Sequence, residues 1–196
     1  MSSYSPRRRS LYTQAGTTLI ELVVFIVIVS VSLAGVMIAI DRTARYSTDP
    51  LITKQALAIA ESLLEEIQLM PFTFCDPDDA NVSTAASSLG CATTPEAVGP
   101  EAGQGETRYN AAFPFDNVND YQGFSMNPIL DITGTAIGGV NAYTANVTVA
   151  ATGLGGIAAN DANGQANVLL ITVAVSGPLG ISVSLQGYRT KYAPTL

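Results

Sequence analysis

The chain has 196 residues, a formal charge of −7, two cysteines and neither histidine nor tryptophan. Beyond residue 16, six basic side chains stand against sixteen acidic ones, a balance of −10, so the basic footprint that a nucleic-acid partner requires is missing. Without histidine the ordinary catalytic triad and most general-base chemistry at neutral pH are removed, and no catalytic, cofactor-binding or metal-ligating set is expected.

The chain opens with a basic segment, Arg7 to Arg9, followed by a lone Gly16 and the stretch "TTLIELVVFIVIVSVSLAG". From Leu22 to Ile40 no residue is charged, and only Ser30, Ser32 and Gly35 interrupt the apolar run. As a helix these nineteen positions span roughly 28 Å, close to the thickness of a bilayer hydrocarbon core. An ionised Glu21 at the end of such a run costs on the order of a few kcal/mol unless it is partnered. One reading makes Glu21 a cap at headgroup level, where an acid suits the helix dipole.

Three N-terminal readings are open. Residues 1–40 form a signal peptide with a small-x-small site at Ser32 to Ala34, although the apolar run exceeds the usual length of about 7–15 residues. Alternatively the run is a permanent anchor whose arginines hold the N-terminal end in the cytoplasm. In the third reading the chain is cut at Gly16, and only this gives both Gly16 and Glu21 something to do.

"QAGTTLIELVVFIVIVSVSLAGV" closely resembles the class III signal of type IV prepilins and pseudopilins. The resemblance implies a basic leader, residues 1–16, removed by a prepilin peptidase between Gly16 and Thr17, with N-methylation of Thr17. Family members usually carry phenylalanine or another apolar residue where this chain has Thr17. Glu21 becomes the fifth mature residue, which in the family pairs with the terminal amine of a neighbouring subunit. Such a pair of charges attracts strongly in low dielectric, and each partner relieves the other's desolvation.

Past a transmembrane or filament-core helix over 17–41, Asp49 and Pro50 read as an N-cap and first helical residue, so a kink or break is expected near Pro50. The amphipathic helix that follows, within a segment 42–70, places Ile52, Ala56, Ile59, Leu63, Ile67 and Met70 on one face and Lys54, Glu61, Glu65 and Gln68 on the other, and Pro71 ends it.

Residues 71–127 are rich in Pro, Gly, Ser, Thr and Asp and too long for an ordinary connection. In pilins the variable αβ-loop lies here. In an oxidising compartment Cys75 and Cys91 most simply form one disulfide, since a redox or zinc pair lacks co-ligands. "PFTFCDPDD" with the later cysteine resembles minor pilins of the mannose-sensitive haemagglutinin type. Two groups, Asp76, Asp78, Asp79 and Asn81, and Asp116, Asn117, Asn119 and Asp120, carry oxygens of the kind calcium takes. Neither fits the EF-hand pattern, and both are read as solvated turns.

The last segment, 128–196, alternates with period two. "YTANVTV" from Tyr143, "VLLITVAV" from Val168 and "ISVSLQGY" from Ile181 are predicted strands, with a tight connection over Gly177 to Gly180 and "ILDI" near Ile129 as a weaker fourth. "GLGG" at 153–156 leads into a loop, not a helix, which argues against a dinucleotide fold. An antiparallel sheet with one buried face, covered by the amphipathic helix, gives an α+β class, and the resemblance implies the type IV pilin fold.

The function so implied is that of a minor pilin of a type IV pilus. Its partners would be other pilin subunits through the N-terminal helix, the prepilin peptidase, the inner-membrane assembly platform, and the membrane before assembly. A type II secretion pseudopilin shares the same anchor. A secreted non-pilin protein requires cleavage after Ala34 instead.

Overall fold

The computed structural model describes Gly16 and residues 18–101 and 105–191, with side chains described for all of these except 43–49. The chain divides into two compact units, Met1–Ser47 and Thr48–Leu196.

One helix, α1, runs over Leu19–Leu69 with Pro50 inside it. This corrects the expected break: Asp49 and Pro50 lie within the helix and do not start a new one. Proline's fixed φ fits a helix, and the cost is one missing N–H bond and crowding of the preceding turn, which helix on both sides tolerates. The chain leaves α1 through a tightened last bond, Met70 N to Ile67 O at 3.2 Å, just before Pro71.

In the second unit the sheet has four antiparallel strands in chain order: β1 Ser125–Met126, β2 Thr144–Ala151, β3 Val168–Ser176 and β4 Ser182–Thr190. β2 buries Ala145, Val147 and Val149, and β3 buries Leu169, Ile171, Val173 and Val175. Register pairs these rows residue for residue, Val147 with Val173 and Val149 with Ile171, so one face of the sheet is a continuous apolar surface.

Ala56, Ala60, Leu63 and Ile67 of α1 are buried in the same cluster as this face. The two alanines let the helix approach closely, and Gly187 of β4 does the same from the sheet side. A Cβ there would collide with Gln68 and press on Leu64 at 3.2 Å. Tyr143 closes one end, its hydroxyl donating to Gln55 Oε1 at 2.8 Å and to Ile52 O at 3.3 Å.

The weaker strand candidate is not a strand. Leu130 makes a single bridge to Ala136, and the chain turns because Asp131 Oδ1 accepts from Thr133 N and Thr135 N, both at 2.9 Å. The same turn recurs at Asp161, whose Oδ1 accepts from Asn163 N at 2.8 Å and Gln165 N at 2.9 Å. Both turns read D-x-x-G-x, with Gly134 and Gly164 at φ of 80° and 82°, which favours glycine. The fourth strand is β1, and its two residues are too few to show alternation.

Candidate functional site

Two features of the molecule carry chemistry beyond packing. The first is the N-terminal stretch of α1. Leu19–Arg42 has a mean hydropathy of 3.0 and is nowhere buried, and among the described residues it is the one helix long and apolar enough to cross a membrane. Ser30 and Ser32, its polar interruptions, donate back to Ile26 O and Ile28 O at 2.7 Å each, so neither hydroxyl needs water. Glu21 sits in the first turn and is exposed. Among the described residues it has no ion-pair partner. Gly16 is exposed coil ahead of the helix, and a Cβ built on it meets nothing within 4 Å. Thr17 and residues 1–15, on which the cleavage and methylation expectations also fall, lie outside the described residues.

The second feature is in the loop region. Cys75 and Cys91 are joined as a disulfide with Cα atoms 5.5 Å apart. Inside the loop it closes, Asp79 is buried. One of its oxygens accepts from Asn81 N at 2.8 Å and Ala92 N at 2.9 Å, and the other from Thr93 N at 2.7 Å and Thr94 N at 2.8 Å. These backbone donors, Thr94 first, hold its carboxyl well below the usual carboxylate range. A second clamp ties the loop region to α1. Arg108 donates to both oxygens of Glu66 at 2.6 Å, Tyr121 adds its hydroxyl at 2.7 Å, and Arg108 also donates to Asp131 O at 3.0 Å.

Beside these clamps seven acids gather from three stretches of chain. One carboxylate oxygen from each of Glu96, Glu101 and Asp120 lies within 4.8 Å of the other two, and the same holds for Asp76, Glu101 and Glu106, and for Asp76, Asp78 and Asp116. Glu96 is 9% exposed and Asp120 0%. Asp120 Oδ2 accepts from Asn117 N at 2.7 Å and Asp116 N at 3.0 Å, while its Oδ1 and both oxygens of Glu96 have no hydrogen-bond partner.

Burial, then the charges of Asp120 and Glu101, pushes Glu96 up to about 10. Burial likewise pushes Glu106, Asp116 and Asp120 up to about 7 and raises Glu101. Burial depresses Lys191, and the charges of Asp161 and Glu96 act against that. Its Nζ lies 4.6 Å from the Phe72 ring centroid and 4.4 Å from that of Phe74, and it makes no ion pair with Glu96. A cavity of about 210 Å³ opens on Glu96, with Asn119, Gln165 and Lys191 in its wall.

The expectation of solvated turns is therefore corrected. Asp76, Asp79, Asn117, Asn119 and Asp120 are all buried. The fold divides the members of each sequence group: Asp76, Asp78, Asp116 and Asp120 join the cluster, while Asp79 and Asn117 tie down backbone. Asn81 turns its amide to Gly90 O at 2.8 Å. Glu96, Glu101 and Glu106 join the cluster without having been expected in it. Their one sequence signal is the five-residue spacing of acids in a stretch otherwise rich in Pro and Gly.

Comparison with protein-family models, with curated proteins and with solved structures finds no match for this chain.

Proposed function

We propose that the chain is a minor structural subunit of a type IV pilus, with a type IV pilin fold, held in the inner membrane with its head in the periplasm before assembly and exported in the filament afterwards. The observation that carries this reading is Glu21: a single acid in the first turn of an exposed apolar helix that is otherwise uncharged down to Asp41. A helix whose large side chains are all in the open needs an apolar partner, first lipid and then the same helix of neighbouring subunits. In either setting a lone carboxylate is costly, and a neighbour's terminal amine would relieve that cost.

Gly16 supports the same reading. A Cβ built on it meets nothing within 4 Å, so packing among the described residues gives no reason for glycine there, whereas recognition by a prepilin peptidase does. The sheet packed on α1 and the disulfide-closed loop suit a head that must endure outside the cytoplasm. Its role is mechanical, and its partners are other pilins, the peptidase and the inner-membrane assembly platform.

Intact mass of the protein purified from membranes tests the processing step. The mature chain is expected to begin at Thr17, with or without a methyl group. A start at Gly35 would exclude the pilin reading, and an uncut chain in cells that hold the peptidase would count heavily against it.

A further inference from the structure

We propose that the head binds a hard divalent cation, calcium, between the carboxylates of Glu96, Glu101 and Asp120. The proposal rests on the second unit alone and does not depend on the filament reading. Two observations carry it. The first is convergence: oxygens from three acids lie within 4.8 Å of one another. Oxygens on opposite sides of a calcium ion with bonds of about 2.4 Å are about 4.8 Å apart, so the spacing is one that a calcium ion can bridge.

The second observation is that two of the three acids keep buried oxygens without partners, while Glu101 Oε1 accepts from Ala97 N at 3.2 Å. Both carboxylate oxygens of Glu96 and Oδ1 of Asp120 are buried and make no hydrogen bond. Buried polar atoms are normally satisfied, and those left over call for an explanation such as a missing ion. A shared proton joins only two of these oxygens and leaves the third without a donor. A cation satisfies these oxygens together and removes the repulsion between them.

The donor set selects the class of ion. All three ligands are carboxylates, with neither His nor Cys among them, which disfavours zinc and copper. The acids come from separate loop stretches, two of them on one side of Asp120 in sequence, and can supply an irregular shell of the kind calcium accepts. Magnesium demands a small, near-ideal octahedron and keeps its waters. The remaining acids, Asp76 and Glu106 next to Glu101 and then Asp78 and Asp116, extend the negative charge from the site to exposed Asp78, which would draw a cation in. No positive side chain among the described residues competes closely, since Arg108 is spent on Glu66 and Lys191 lies over two aromatic rings.

The test uses the full chain in detergent, stripped of metal with a chelator and then freed of it. Equilibrium dialysis against calcium chloride at about 1 mM, the range of extracellular calcium modules, should show calcium bound, and thermal melting should move upward by several degrees. Magnesium at the same concentration should give a smaller shift. Glu96→Gln should bind calcium at least tenfold more weakly. Asp120→Asn should also weaken binding at least tenfold, and Glu61→Gln, an exposed change on α1, should bind as wild type does. Absence of bound calcium on the wild-type chain would overturn the proposal whatever the variants do. So would equal binding by wild type, Glu96→Gln and Asp120→Asn.

Discussion

Glu21 is a residue whose local structure does not account for it. It makes no ion pair among the described residues, and removing its charge should make membrane insertion of the helix easier. Glu21→Val should therefore leave the chain in the membrane and leave cleavage largely intact. If Glu21 holds a neighbour's amine, however, the same change strands that amine in low dielectric, a penalty of about 3–5 kcal/mol for one half of a buried pair. The ratio of subunit in sheared filaments to subunit in membranes should then fall severalfold, with Glu21→Gln intermediate. An unchanged ratio for Glu21→Val would reduce Glu21 to a cap at headgroup level. Glu66 offers the complementary case inside the head, where both partners are visible. The Arg108 side chain is 6% exposed and that of Glu66 20%, so Glu66→Ala should destabilise by about 3–5 kcal/mol, chiefly by leaving the guanidinium buried without its counter-charge. Urea unfolding would measure it, and a loss below about 1 kcal/mol, the value of a surface pair, would mean that the clamp opens to water in solution.

At the scale of elements, what could be read from the sequence followed the periodicities. β2 and β3 announced themselves because only one face is buried, so Val147, Val149, Ile171 and Val173 had to alternate with polar or small neighbours. The helix stripe was legible for the same reason, except that Ala60, outside the expected stripe, is fully buried. Pro50 misled because its preference for a first helical position is a local rule, and long flanking helix overrode it. "ILDI" misled because its alternation is broken by one side chain, Asp131, that captures the backbone into a turn. The turn at Gly177 yields a test of how tightly elements meet. A Cβ on Gly177 would lie 2.5 Å from the Tyr143 ring, and that ring is 2% exposed and tethered to α1 through its hydroxyl. Gly177→Ala should cost about 1–3 kcal/mol, the usual range for overpacking. Gly187→Ala should cost less, because the atom it meets first is the mobile end of Gln68. Denaturant midpoints of the two variants in the reverse order would show that the Tyr143 anchor yields more readily than its burial implies.

For the whole molecule, the acid cluster was the least legible part, because its members are spread from Asp76 to Asp120 and nothing in a one-dimensional pattern says which loops will meet. Its consequence is a pH dependence whose sign can be worked out. In the metal-free chain Glu96 is raised from 4.5 to about 10, Glu106 from 4.5 to about 7, and Asp116 and Asp120 from 3.8 to about 7. Glu96 is faced by Asp120, Glu101, Asp76 and Asp116, all of which raise it, and by the cation Lys191. Each of these acids holds its proton more tightly folded than unfolded. The stability this contributes is fully present below the ordinary carboxylate values and is lost as pH rises through 7 and on toward 10. Asp79 runs the other way, since its depressed carboxyl loses its contribution only on acidification below the usual range. With chelator present, the full chain in detergent should therefore melt several degrees higher at pH 5 than at pH 8. Added calcium should shrink that difference by raising the pH 8 value, because the ion then takes over the neutralising role of the protons. A metal-free chain that melts equally well at both pH values would show that water reaches these carboxylates in solution, and the burial that raises them would not hold.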